Sequence, residues 1–117
     1  YLQIMSVYVV NLIIDQGTDF SQVFNLESSV TNGPVNLTDY TGSAQLRKHA
    51  SSKKYYDFTV SFPDRGAGQV KIAMSDVITA RIKPGRYVYD LILTDSTGTK
   101  ERAVEGTVLV RESATKE

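Results

Sequence analysis

The stretch from Ile82 to Asp95, "IKPGRYVYDLILTD", decides the fold. It opens on a Pro-Gly corner and then alternates. Tyr87, Tyr89, Leu91 and Leu93 share one side of an extended chain, and Val88, Asp90, Ile92 and Thr94 share the other. Alternation of this kind is the signature of a half-buried strand, because successive side chains point to opposite faces. Two features need explaining: tyrosines on the apolar side, and apolar residues, Val88 and Ile92, opposite them.

The rest of the chain supplies the context. "SVYVVNLIID" is rich in β-branched residues and predicts a first strand over about Val7–Ile14. Phe20, Gln22, Phe24 and Leu26 alternate in the next segment, and Asn32-Gly33-Pro34 marks a loop after it. "GSAQLRK" points Ala44 and Leu46 inward and Ser43, Gln45 and Arg47 outward. "YDFTVSF" puts Tyr56, Phe58, Val60 and Phe62 on one face, and "QVKIAM" does the same with Val70, Ile72 and Met74. "PDRGAG" is a turn. "SDVITARI" predicts a single helical turn capped by Ser75 or Asp76. "DSTG" closes a hairpin with Gly98 where a positive φ is needed, and a last strand runs through "KERAVEGTVLV".

About seven short strands with turns between them predict an all-β, immunoglobulin-like antiparallel sandwich. In such sandwiches a tyrosine near the start of the penultimate strand packs inward and returns its hydroxyl to the backbone of the preceding corner. Tyr87, just after Pro84 and Gly85, fits that role. Tyr56, Phe58, Val60, Phe62, Tyr87, Tyr89 and Leu91 are therefore expected to be largely buried. The 117 residues suit one domain, 1–117, with a core over about 7–110 and a polar, frayed tail at 111–117.

Composition narrows the function. There is no Cys, hence no disulfide framework and no thiolate metal site. Lys plus Arg equals Asp plus Glu, 13 each, so no strong general attraction to nucleic acid or to an acidic membrane is expected. The apolar run at Val7–Ile14 is broken by Asn11 and is too short to cross a bilayer. No basic segment precedes it, so no secretory signal is expected. Tyr is not a residue that normally follows a removed initiator Met. Met5 as the natural start and a trimmed chain both stay open.

Catalytic and metal motifs are weak. His49 is the sole histidine and falls in a polar connection; Ser51 and Ser52 lie near it without an elbow motif. "DSTGTKE" lacks the repeated acidic ligands of a calcium loop, and "DRGAGQ" lacks the Lys-Ser/Thr and helix of a phosphate loop. No catalytic residue, cofactor or metal is therefore expected. The one basic and aromatic cluster is "RKHASSKKYY", with Arg47, Lys48, Lys53 and Lys54. It suits a solvated loop, a nucleic-acid contact through phosphates and a stacking Tyr, or an acidic protein surface; with zero net charge, no nucleic-acid partner is expected.

Three stretches together resemble a family of small virion structural proteins of tailed bacteriophages, notably those of cyanobacteria: "GTDFSQVFNL", "NLTDYTGSAQLRKHASS" and "IKPGRYVYDLILTDSTGTKERAVEGTVLV". More loosely, the spacing is similar to immunoglobulin-like N-terminal modules of phage baseplate proteins. The likeness runs from about Val7 to Val110, and "GRYVYDL" followed by "EGTV" is its most specific part. The resemblance implies an assembly role without catalysis, localisation in the virion, and other virion proteins as partners in multiple symmetric copies. Larger members continue beyond this module, whereas a short tail follows here, so an adaptor, decoration subunit or appendage is implied. The alternative is a module that binds a host-surface glycan, although there is no Trp and the tyrosines mostly fit inward stripes.

One pattern bears on assembly. The first strand is apolar on both parities, Val7 and Val9 on one and Tyr8, Val10, Leu12 and Ile14 on the other. A sandwich core covers one side only. The outward residues Val9, Val88 and Ile92 are thus candidate contacts with a neighbouring subunit, unless Tyr1–Met5 fold back over them. The basic loop is the next candidate.

Overall fold

The computed structural model describes residues 7–28 and 33–115; Met5, the segment Tyr1–Met5 and Asn32 of the turn lie outside them. The chain is an all-β, immunoglobulin-like sandwich. Its strands are β1 (Tyr8–Val9), β2 (Leu12–Asp15), β3 (Phe20–Asn25), β4 (Thr41–Arg47), β5 (Tyr55–Ser61), β6 (Gln69–Met74), β7 (Gly85–Thr94) and β8 (Lys100–Arg111). A single helical turn, α1 (Asp76–Thr79), joins β6 to β7. The hydrogen-bonded order is β1-β8-β7-β4-β5-β6-β3, with β2 also on β8. The sheet closes around its core because β5 serves both halves. Ala44 to Arg47 of β4 pair with Tyr55 to Phe58, and Thr59 to Ser61 pair with β6.

The expected purely antiparallel sheet is corrected to a mixed one, because β1 and β2 run parallel to β8. The expected single first strand is also divided. At Val10 and Asn11 the Asn11 carboxamide takes the place of a strand partner, accepting from the Thr107 N–H at 3.1 Å and the Thr107 hydroxyl at 3.0 Å. Beneath this step lies Gly106. A Cβ built there would stand 2.1 Å from the Val10 carbonyl oxygen, so only glycine permits the approach. The Tyr89 hydroxyl reaches up from the core and donates to the same carbonyl at 2.6 Å.

The core joins the inward faces of the two halves. Ala44, Leu46, Tyr89, Leu91, Leu93, Val104 and Val108 meet Phe24, Leu26, Val70, Ile72 and Met74. Fully burying each aliphatic side chain contributes about 1.5–3 kcal/mol before chain entropy is set against it. Phe58 links the halves, with its ring 6.0 Å from Phe20 and 6.1 Å from Tyr89. Of the seven aromatic and aliphatic residues expected to be largely buried, Phe58, Tyr89 and Leu91 are. Tyr56, Val60, Phe62 and Tyr87 are half-buried and pack on the margin of the core. The β5 switch explains Val60 and Phe62, since beyond Phe58 the strand leaves β4 and follows β6 to the rim.

One local expectation is also revised. Ser75 occupies the cap position of α1 without a side-chain hydrogen bond, and Asp19 accepts the Asp76 N–H at 2.8 Å instead. At the start of the polar tail, Arg111 belongs to β8, its guanidinium meets Asp15 at 2.8 Å, and the Ser113 hydroxyl donates to the Gln16 carbonyl at 2.6 Å.

Candidate interaction surface

The register of the larger half lays out its outer face in rows. One row reads Val9, Glu105, Asp90, Gln45 and Asp57 across β1, β8, β7, β4 and β5. The next reads Thr107, Val88, Arg47 and Tyr55. A third places Ile13 beside Leu109 and Arg86. The face is apolar at its free margin, where Val7 is 42% exposed, Val9 69% and Ile13 53%. Toward the centre it is charged: Arg102 reaches Asp90 at 3.5 Å and Glu105 at 3.3 Å. A shallow depression of about 840 Å³ lies here, bounded by Val9, Val88, Arg47 and Lys53.

The structure thus brings four of the candidate interface residues together and separates the others. Ile92 is half-buried on the same face, between Ser43 and Arg102, outside the depression. Lys48 and Lys54 go to a different surface altogether. Ile13 is the residue that sequence reasoning missed. It has the same parity as Val7 and Val9, and that parity was the available signal.

Arg47 is held in place. Its guanidinium donates to the Ser52 carbonyl and, at 2.7 Å, to the Gln45 side-chain oxygen, and it sits 4.7 Å from the Tyr55 ring centroid. The Ser52 hydroxyl accepts the His49 backbone N–H at 3.0 Å, closing the loop over itself. Among the described residues no hydrogen bond orients the His49 imidazole, and no group of three or more metal-ligating side chains is assembled.

At the corner before β7, the Tyr87 hydroxyl donates to the Lys83 carbonyl at 2.6 Å. The Tyr56 hydroxyl donates to the Arg81 carbonyl at 3.3 Å. The two rings and Leu46 floor a cleft of about 350 Å³ beside Pro84, and Lys48, Lys54 and Lys83 stand around it. Lys48 Nζ lies 5.0 Å over the Tyr87 ring, and Lys54 Nζ lies 5.6 Å over the Tyr56 ring. The Lys48 ammonium also crosses Gly85 so closely that a Cβ there would meet it at 3.2 Å. Burial pushes the Tyr87 hydroxyl above the ordinary tyrosine range, with Tyr56 adding to the rise and Lys54 opposing it.

No protein-family model matches the chain, and no curated protein matches it. Among solved structures it is similar to the SrpA adhesin of Streptococcus sanguinis, at 8% identity and a TM-score of 0.51, over 87% of this chain and 55% of that one. It is similar to an internalin-like protein of Listeria monocytogenes at 10% identity and a TM-score of 0.42, over 92% of this chain and 28% of that one. It is also similar to a family 123 glycoside hydrolase from Clostridium perfringens at 12% identity and a TM-score of 0.45, over 93% and 24%. The chain therefore spans about half the length of the first of these structures. Likeness at such identities concerns the fold alone.

Proposed function

We propose that the chain is a non-enzymatic structural subunit of a tailed-phage particle, a tail or baseplate adaptor or a capsid decoration, which works by protein–protein contacts. The observation that carries this reading is the exposed apolar margin of Val7, just before β1, and of Val9 and Ile13 on the outermost segments β1 and β2. These side chains continue into the outer face through Leu109 and Val88. An exposed apolar patch with polar and charged residues beside it is what marks a docking face. The sequence resemblance supplies the particle. A host-surface glycan module is the alternative, and it asks for an open aromatic platform. Among the described residues Tyr55 is the exposed aromatic, at 46%, and it already carries the Arg47 guanidinium on one face.

The test uses Val9→Lys with Ile13→Lys, both at exposed positions. The variant is expected to keep the parental circular dichroism spectrum and melting temperature, yet to be depleted from purified particles. Mass spectrometry of wild-type particles comes first: absence of the chain from them would overturn the virion assignment. Undiminished incorporation of the double variant would remove this face as the attachment surface. Specific signals on a glycan array with the isolated domain would favour the alternative.

A further inference from the structure

The cleft at the β7 corner concentrates positive charge in a chain whose formal net charge is zero. Lys48, Lys54 and Lys83 stand around it, and no acidic residue lines it among the described residues. The ion pairs among the described residues involve Arg102 and Arg111, near the two ends of β8, and leave these three ammonium groups without a carboxylate. Two of them are held over the aromatic floor, Lys48 above the Tyr87 ring and Lys54 above the Tyr56 ring, and Lys83 stands at the rim.

From this arrangement we infer that the corner cleft is a second docking site, for an acidic segment of a partner protein whose Asp or Glu side chains meet Lys48, Lys54 and Lys83. This goes beyond the apolar face proposed above and does not depend on it, since the two surfaces share only Arg47 and Ser52 among their lining residues.

Charge complementarity points to carboxylates. Three separate ammonium groups are point charges without the fork of a guanidinium, and the one fork among the lining residues, that of Arg47, is occupied by Gln45 and Ser52. Planar, bidentate phosphate recognition uses such forks, and lysine meets a phosphate only as a point charge; the residues lining the cleft come from β4 and the loop after it, β5, the corner and β7. A single-stranded nucleic acid would need open rings for stacking. Here both tyrosines pack on the core and carry a lysine over the ring, so a base would have to displace the ammonium. An acidic peptide needs neither: its carboxylates approach the ammonium groups, and its stems lie on the same apolar floor.

The test is a titration of the labelled full chain with a hexaglutamate peptide, followed by amide chemical shifts at low and physiological salt. Shifts are expected at Leu46 to Tyr56 and Lys83 to Tyr87, weakening as salt rises. Lys48→Gln with Lys54→Gln should weaken binding about tenfold. The control pair Lys71→Gln with Lys100→Gln, of equal charge change, should alter it less than about twofold. Lys48→Arg with Lys54→Arg, which keeps the charge, should retain binding and guards against a folding defect in the glutamine pair. Equal losses in the glutamine and control pairs would reduce the effect to general attraction and overturn the site. So would the absence of shifts, tighter binding of a thymidine oligonucleotide of equal charge, or displacement of the peptide by inorganic phosphate at comparable concentration.

Discussion

Replacing Gly106 with alanine tests how the first strand is held to the sheet. The added Cβ would stand 2.1 Å from the Val10 carbonyl oxygen and 2.8 Å from the Val10 carbonyl carbon, both backbone atoms that no rotamer change can move aside. The chain at Val10 must therefore lift by roughly 1 Å to reach ordinary van der Waals separation. That movement breaks the Val10 N–H bond to the Glu105 carbonyl, 2.9 Å, and the Tyr89 hydroxyl bond to the Val10 carbonyl, 2.6 Å. Each bond is worth about 1 kcal/mol net, and a buried hydroxyl left without a partner costs about 1–3 kcal/mol. Against this, alanine in place of glycine returns roughly 0.5–1 kcal/mol through the unfolded chain. The balance is a loss of about 2–4 kcal/mol. With a urea dependence of roughly 1–3 kcal/mol per molar, the denaturation midpoint should fall by about 1–3 M. Gly42→Ala makes a useful contrast, because the atom its Cβ meets at 2.7 Å is the Val60 Cγ1, a side-chain atom on a half-buried residue at the rim. A midpoint for Gly106→Ala equal to that of the parent would refute the reasoning and mean that β1 is free to shift without cost.

The remaining predictions concern the corner and the acid limb. Tyr87→Phe leaves the Lys83 carbonyl without its donor and should destabilise the domain by about 1 kcal/mol, read as a lower urea midpoint; an unchanged midpoint would show that water replaces the hydroxyl. Asp15 is held below the usual carboxylate range by its hydrogen bond from Arg111, and Asp95 by its hydrogen bond from Thr97. Depressed folded values mean that this stabilisation is complete above the unfolded value, about 3.9, and is lost as pH falls through the folded ones. Midpoints measured down to about pH 2 should therefore drop below about pH 4, and Asp15→Asn with Asp95→Asn should flatten that drop; an identical acid slope in the double variant would rule these carboxylates out as its source.

Much of the fold could be read directly from period two. The faces of β3, β4, β6 and β7, the helical turn after Met74 and the hairpin at Gly98, whose φ is +90°, follow local rules. What could not be read depends on partners distant in sequence. Whether β1 and β2 run parallel or antiparallel to β8 is invisible in "SVYVVNLIID", because either direction buries the same parity. The break at Asn11 needs Thr107, 96 residues away, to donate to its carboxamide oxygen in place of a strand partner. The passage of β5 from one half to the other left an unbroken alternation in the sequence, although Phe58 is buried and Val60 is at the rim. A register irregularity between Leu91 and Ile92 likewise sets Ala103 and Val104 both in the core, where strict alternation would expose one. The candidate surface was half legible: the parity of Val7 and Val9 gave its margin, whereas the charged centre built by Arg102, Asp90 and Glu105 required the pairing of β7 with β8.

The basic run shows how one residue step divides a cluster. Arg47 ends β4 on its outer parity and joins the depression; Lys48, the next residue, turns the other way and lies over Tyr87. The resulting surfaces differ in kind, and symmetry treats them differently. The apolar margin of Val9 and Ile13 could meet its own copy across a twofold axis, since apolar patches are self-complementary in chemistry. The corner cleft could not, because an isologous contact would bring Lys48, Lys54 and Lys83 against the same three cations with no carboxylate between them. Any contact through the cleft must therefore be heterologous, to a different surface that carries the acid. The two proposed surfaces therefore differ in what they can bind: the apolar margin is compatible with a like partner or an unlike one, and the cleft with an unlike one alone.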